Sequence, residues 1–184
     1  MRPKAHSKYG LAFIAVIISS VALIISFSQA IIAWRVMNRS LESTLLQQRI
    51  SQCSTVIGLI QDFSNRNAEY RVLRALQEGR TARGISGVDF TGSKDETVTS
   101  EMVLAKAKES STEGRKAADY VNTVRHLYDQ QMKGLMTSAF YHIFNMLGDD
   151  LEKNEAYAIE LARTLHQIMG RCDAYGSRYD SFIN

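Results

Sequence analysis

Two cysteines, Cys53 and Cys172, are the only thiols in this 184-residue chain, and each lies on the apolar seam of a helical pattern. In an oxidising compartment an even count on facing seams permits one disulfide between the first and last extramembrane helices. In a reducing compartment the same residues are small core side chains, a common role for cysteine. The sequence leaves both readings open. A bridge would close a loop of more than a hundred residues, for which the chain-entropy model allows about 4–5 kcal/mol.

His126, His142 and His166 raise the question of a metal, and their surroundings answer it. The Glu-x-x-His spacing of di-iron bundles, His-Glu-x-x-His and Cys-x-x-Cys-His are all absent. A nucleophile made of Cys172 and a histidine has no flanking motif, and a seam thiol is poorly exposed to substrate. Asp149, Asp150 and Glu152 gather where a helix should begin, and the helix dipole favours carboxylates there. Residues 79–94 hold four glycines and two arginines, without a Gly-Lys-Ser/Thr ending or a strand-turn-helix context. They read as a connector or a partner-docking loop. No catalysis, cofactor or metal is expected.

The element that must organise everything else is residues 11–34, which contain no charged residue. At about 1.5 Å per residue they reach roughly 36 Å, enough for a hydrocarbon core of about 30 Å. Tyr9 and Trp34 stand at the two ends, where amphipathic rings favour the interface, and Lys8 and Arg35 close the segment off. Ser28-Gln29-Ala30 matches a signal-peptidase pattern. The apolar run before it, however, exceeds the usual h-region of about 7–15 residues and continues beyond it. An uncleaved signal anchor in the lipid bilayer is the expectation.

One side of that helix is small. Ala12, Ala15, Ser19, Ala22, Ser26, Ala30 and Ala33 fall within roughly 80° of arc, with Gln29 at the border. In lipid no hydrophobic force draws helices together, so small side chains that allow close backbone approach mark a packing face. An amide in hydrocarbon is also better placed at a helix interface than against lipid. Arg2, Lys4 and Lys8 before the span outweigh Arg35 and Arg39 after it. The positive-inside rule then places the N-terminus in the cytoplasm and the C-terminal domain outside, periplasmic in a bacterium.

Charge excludes a nucleic-acid partner. Residues 38–184 contain 18 Lys+Arg against 19 Asp+Glu, a balance of −1, so the chain's basic excess belongs to the anchor region. The only proline is Pro3. With nothing to break helices, the fold class is all-α: a basic tail at 1–10, a transmembrane helix at 11–34, and an extramembrane bundle of about three to four helices at 38–184.

The membrane helix is expected to continue unbroken as a rod, with Leu46, Ile50, Cys53, Ile57 and Ile60 forming an a/d seam. Phe63, Tyr70 and Leu73 rotate the contact face and leave Arg66, Arg71 and Arg74 outside it. A helix from about Thr97 to Lys108 follows. Ser110 to Glu113 reads as a capping box that starts a new helix or bends the old one. The stripe Val121, Val124, Tyr128, Met132, Leu135, Ala139, Ile143 and Met146 has a spacing near an eleven-residue repeat, which predicts one straight helix. Gly148-Asp149-Asp150 makes a corner. The last helix carries Leu161, Leu165, Ile168, Cys172, Tyr175, Tyr179 and Phe182, an apolar end that needs to be tied down.

These features predict an accessory subunit whose membrane face packs against an integral membrane partner while the bundle braces the complex outside. Two alternatives are a sensing ectodomain and a self-associating tether using the small-residue stripe and the Leu46 to Ile60 seam. The first is similar in layout to the sensory half of bacterial chemoreceptors, without a shared motif, second span or output domain.

Overall fold

The computed structural model describes residues 7–79, 98–148 and 151–183. They form four α-helices, α1 (Ser7–Gln77), α2 (Ser100–Val124), α3 (Gln130–Met146) and α4 (Leu151–Ile183), with a 3-10 turn at Arg125–Leu127. No strand occurs among the described residues. By internal contact the chain divides into residues 1–45 and 46–184.

Helix α1 runs from the apolar segment into the bundle without interruption, as expected of a stretch free of proline. It stops at Gly79, whose φ of +70° is the left-handed conformation that glycine adopts without a Cβ penalty. The N–H groups of Glu78 and Gly79 close the last turn by donating to Arg74 O and Leu76 O.

The described residues from Leu46 onward fold as an up-down-up-down four-helix bundle, each helix antiparallel to its neighbours. Along α1 and α2, Gln52 meets the Tyr120 hydroxyl, Asn67 meets Ser110, and Gln77 Nε2 donates to Ser100 Oγ at 2.8 Å. Between α1 and α4, Cys53 joins Cys172 at one level and Arg71 feels the charge of Glu155 at another. At the two ends of the α3–α4 pair, Tyr175 donates to Asp129, and the Tyr141 and Tyr157 rings lie 6.0 Å apart. The core between them is fully buried: Val56, Ile60 and Phe63 from α1, Ala117 and Val121 from α2, Met132, Met136, Ala139 and Ile143 from α3, Leu161 and Ile168 from α4. A smaller cluster of Tyr70, Leu73 and Val103 continues it.

Three expectations are corrected. Ser110 does not start a helix; it lies buried inside α2 and accepts from Asn67 Nδ2 at 3.4 Å. The true N-cap is Thr99, whose hydroxyl accepts from the Met102 N–H. Secondly, the long straight helix breaks into α2, the 3-10 turn and α3, with Asp129 capping α3 through Met132 N at 2.9 Å. The apolar stripe hides the break because Tyr128, at the break itself, remains buried and donates to Arg49 O at 2.9 Å. Thirdly, Arg71 is buried, since from Asn67 to Ala75 nearly the whole circumference of α1 is covered. Burial pulls its pKa down and the Glu155 carboxylate opposes the shift.

Most of the α1 seam packs as read, with Val56 added and Ile50 and Ile57 half-buried. On α4, Leu161, Ile168, Cys172 and Tyr175 are buried, whereas Leu165 and Tyr179 are half-buried. The Phe182 side chain, the Asp149–Asp150 part of the corner and residues 80–94 of the glycine-rich loop lie outside the described residues.

Gly114 is where α2, α1 and the end of α3 meet. A Cβ there would stand 2.6 Å from Leu147 Cδ2 and 2.7 Å from Phe63 Cε2, and the Phe63 ring is completely buried. Gly114→Ala should therefore destabilise the bundle by about 1–2 kcal/mol despite the better helix propensity of alanine. Urea denaturation followed by circular dichroism measures it; an unchanged or raised midpoint would contradict the packing described.

Candidate functional site

The described part of the apolar segment has no cover within the chain. Among the described residues one helix is long and apolar enough to cross a membrane, and its most apolar window is entirely unburied. Leu23 is 71% exposed and Phe27 67%. Water tolerates scattered apolar side chains on a surface, but not a continuous sleeve of them. Ser19, Ala22, Ser26, Gln29, Ala30 and Ala33 are likewise exposed, and the side chains of Ala12 and Ala15 lie outside the described residues. Ser28, off the small face, donates back to Ile24 O at 2.9 Å and so needs no external acceptor.

At one end of the bundle the helices are locked together. Cys53 and Cys172 form a disulfide across a sequence separation of 119, with Cα atoms 5.9 Å apart, and neither sulfur is a free thiol. One turn before Cys53, Arg49 Nε donates to Leu127 O at 2.6 Å, tying α1 to the 3-10 turn. Its guanidinium also lies 5.8 Å from the centre of the Tyr175 ring, within cation–π range. The Tyr128 and Tyr175 rings are 5.9 Å apart, and the Tyr175 hydroxyl donates to Asp129 Oδ2 at 2.6 Å. Burial, then the Asp129 carboxylate, pushes the Tyr175 phenol up to about 12. Tyr128 is raised as well, chiefly by burial. Asp129 is lowered, first by the Met132 N–H and next by the Tyr175 hydroxyl. Protonated phenols, a capped helix and an oxidised sulfur pair hold parts in place; they offer no group poised for proton transfer near neutral pH.

The histidines are not brought together. His126 and His166 are exposed on different elements, while His142 is half-buried 3.1 Å from Ser138 Oγ and close to the rings of Tyr141 and Tyr157. Burial lowers the His142 pKa. Among the described residues no three metal-capable side chains cluster.

Two features escaped the sequence reading. Asn67, Arg71, Ser110 and Asn154 are all buried toward the opposite end of the bundle, with Asn67 Oδ1, Arg71 Nε and Asn154 Oδ1 lacking a protein hydrogen-bond partner. Polar residues on a helix give no warning of burial until the neighbouring helix is in place. The second feature is Gly58, Gly134, Gly170 and Gly176, helical glycines where a Cβ would meet nothing within 4 Å. A glycine inside a helix costs about 1 kcal/mol relative to alanine, and no contact among the described residues requires any of these four. Isolated glycines in a helical pattern were the available signal.

No family model, characterised protein or solved structure matches this chain. The fold defines its class: an all-α bundle carried by a helix able to cross a membrane.

Two measurements test the locked end. Reduction of the disulfide, or Cys53→Ala with Cys172→Ala, should lower unfolding stability by about 2–4 kcal/mol; equal urea midpoints with and without reductant would show that the bridge contributes nothing. Asp129→Ala should cost about 1 kcal/mol at neutral pH through the lost cap. Because the folded carboxyl titrates below its ordinary value of about 3.9, this stabilisation is complete above that pH and vanishes as acid protonates the folded form. Denaturation of wild type and variant should thus diverge above pH 4 and converge in stronger acid. A constant gap across that window contradicts the assignment.

Proposed function

We propose that this protein is a non-catalytic, single-pass membrane subunit that packs the small face of α1 against a larger membrane protein complex, with the bundle bracing that complex outside the bilayer. The observation that carries the reading is that the described part of the apolar segment of α1 is uncovered, while one arc of the segment has only small side chains in its sequence. Such a helix is stable only in lipid or against another membrane helix, and its Ala/Ser side suits the second. The N-terminus lies in the cytoplasm and the bundle on the other side, by the excess of lysine and arginine before the span. The Cys53–Cys172 disulfide supports that orientation, because disulfides persist in oxidising compartments. The tether alternative loses one of its two surfaces, since Leu46, Cys53 and Ile60 are buried in this chain's own core.

Extraction in mild detergent through a C-terminal tag, followed by native electrophoresis and mass spectrometry, should recover a defined assembly containing other membrane subunits at fixed ratio. Ser19→Leu or Ala22→Leu should reduce that recovery tenfold or more while leaving the chain in the membrane. Undiminished assembly with both bulky variants would refute the packing face.

A further inference from the structure

The outward face of α4 carries a charge pattern that repeats at seven residues. Arg171 and Arg178 lie along one flank, Asp173 and Asp180 along the other, and Gly170, Ala174 and Ser177 form the ridge between them. The inward face is already committed, with Ile168, Cys172 and Tyr175 in the core. A shallow groove lies on each side of the ridge. The one shared with α1, about 680 Å³, has Gly58, Gly176, Asp173 and Asp180 in its walls. The one shared with α3, about 760 Å³, has Gly134, Gly170, Ala174 and Arg171. Among the described residues, the four helical glycines at which a Cβ would meet nothing within 4 Å thus lie on or beside the same helix, two in an acidic groove and two in a basic one.

We propose that this face is a two-fold interface with a second copy of the same chain, in which the α4 helices of the two copies pack side by side and parallel.

Charge decides both the occupant and the direction. Side by side and parallel, two identical helices bring opposite flanks together, so the Asp flank of each faces the Arg flank of the other; antiparallel, Arg would face Arg and Asp would face Asp. The five-residue step from Asp173 to Arg178 is the spacing at which flanking residues of parallel paired helices meet, giving two symmetry-related ion pairs per dimer. A foreign partner would need its own complementary heptad, whereas this helix supplies both halves. The absent side chains at Gly170, together with Ala174 and Ser177 on the ridge, allow the close helix approach that orients the charged flanks. The interface uses none of the small residues on the membrane helix and extends the functional reading from one subunit to a pair.

The full-length chain in detergent micelles should have a protein mass by light scattering of twice the 20.7 kDa chain. Ala174→Cys should cross-link to itself on mild oxidation, because a parallel two-fold places position 174 opposite its copy, while Thr112→Cys on α2 should not. Asp173→Arg should weaken dimerisation at least tenfold with unchanged helix content, and adding Arg178→Asp to the same chain should restore it by exchanging the two charges. A monomer throughout, a dimer indifferent to Asp173→Arg, or equal cross-linking at positions 112 and 174 would each overturn the interface. Ser19→Leu measured alongside separates the two proposals: a dimer lost only with that variant overturns the α4 interface, whereas an α4 dimer that survives it leaves the membrane-face proposal to be judged by copurification alone.

Discussion

Helices α2 and α4 are both registered against α1, and the Cys53–Cys172 link is the covalent one among the ties that do so. It sits where three other contacts also reach α1: the 3-10 turn through Arg49, its capping residue Tyr128 through the Arg49 carbonyl, and α2 through Tyr120 and Gln52. A covalent tie across 119 residues removes much of the unfolded chain's freedom in one place. With α4 held there, Tyr175 can cap the network through Asp129, and the corner between α2 and α3 has a surface to close on. Without that end the α2–α3 break would leave a turn supported chiefly by its own cap.

The two halves of α1 solve different solvent problems with one backbone. Both need every N–H and C=O satisfied within the helix, which an uninterrupted run without proline provides. They differ in side chains. From Val16 to Trp34 the surface is apolar almost all round and uncovered, whereas from Leu46 onward a single seam faces the core and polar residues face out. By residues 67–75 the covered arc has widened so far that Asn67 and Arg71 are carried inside. Asn67 Oδ1 and Arg71 Nε, without a protein partner, carry a cost there, since a buried polar group without a partner forfeits its hydration.

The remaining irregularities lie on the outside. A helical glycine that no packing contact requires costs stability, yet four such glycines, half-buried or exposed, lie on or beside α4. Together with the charged residues on its flanks, they give α4 a core seam inward and a patterned surface outward. The two proposed contact faces, on α4 and on α1, differ in what would govern them: charge in water for the first and van der Waals fit in lipid for the second.

Fold class, the apolar helix and most of the α1 and α4 seams were legible in the sequence, because the absence of proline and the 3.5-residue recurrence of apolar residues depend only on local order along the chain. Leu46, Cys53, Ile60, Leu161, Ile168 and Tyr175 were identifiable in that way. The corner at residues 125–129 was not. Periodicity records which side is buried, and Tyr128 stays buried through the turn by means of a hydrogen bond to a helix 79 positions away. Ser110 misled for the same reason: a serine three residues before a glutamate resembles a cap until Asn67 is opposite it. Burial of Arg71, pairing of the cysteines and the emptiness beside the four glycines are relations between helices, and only tertiary structure decides them, since each depends on what another helix places within a few ångströms.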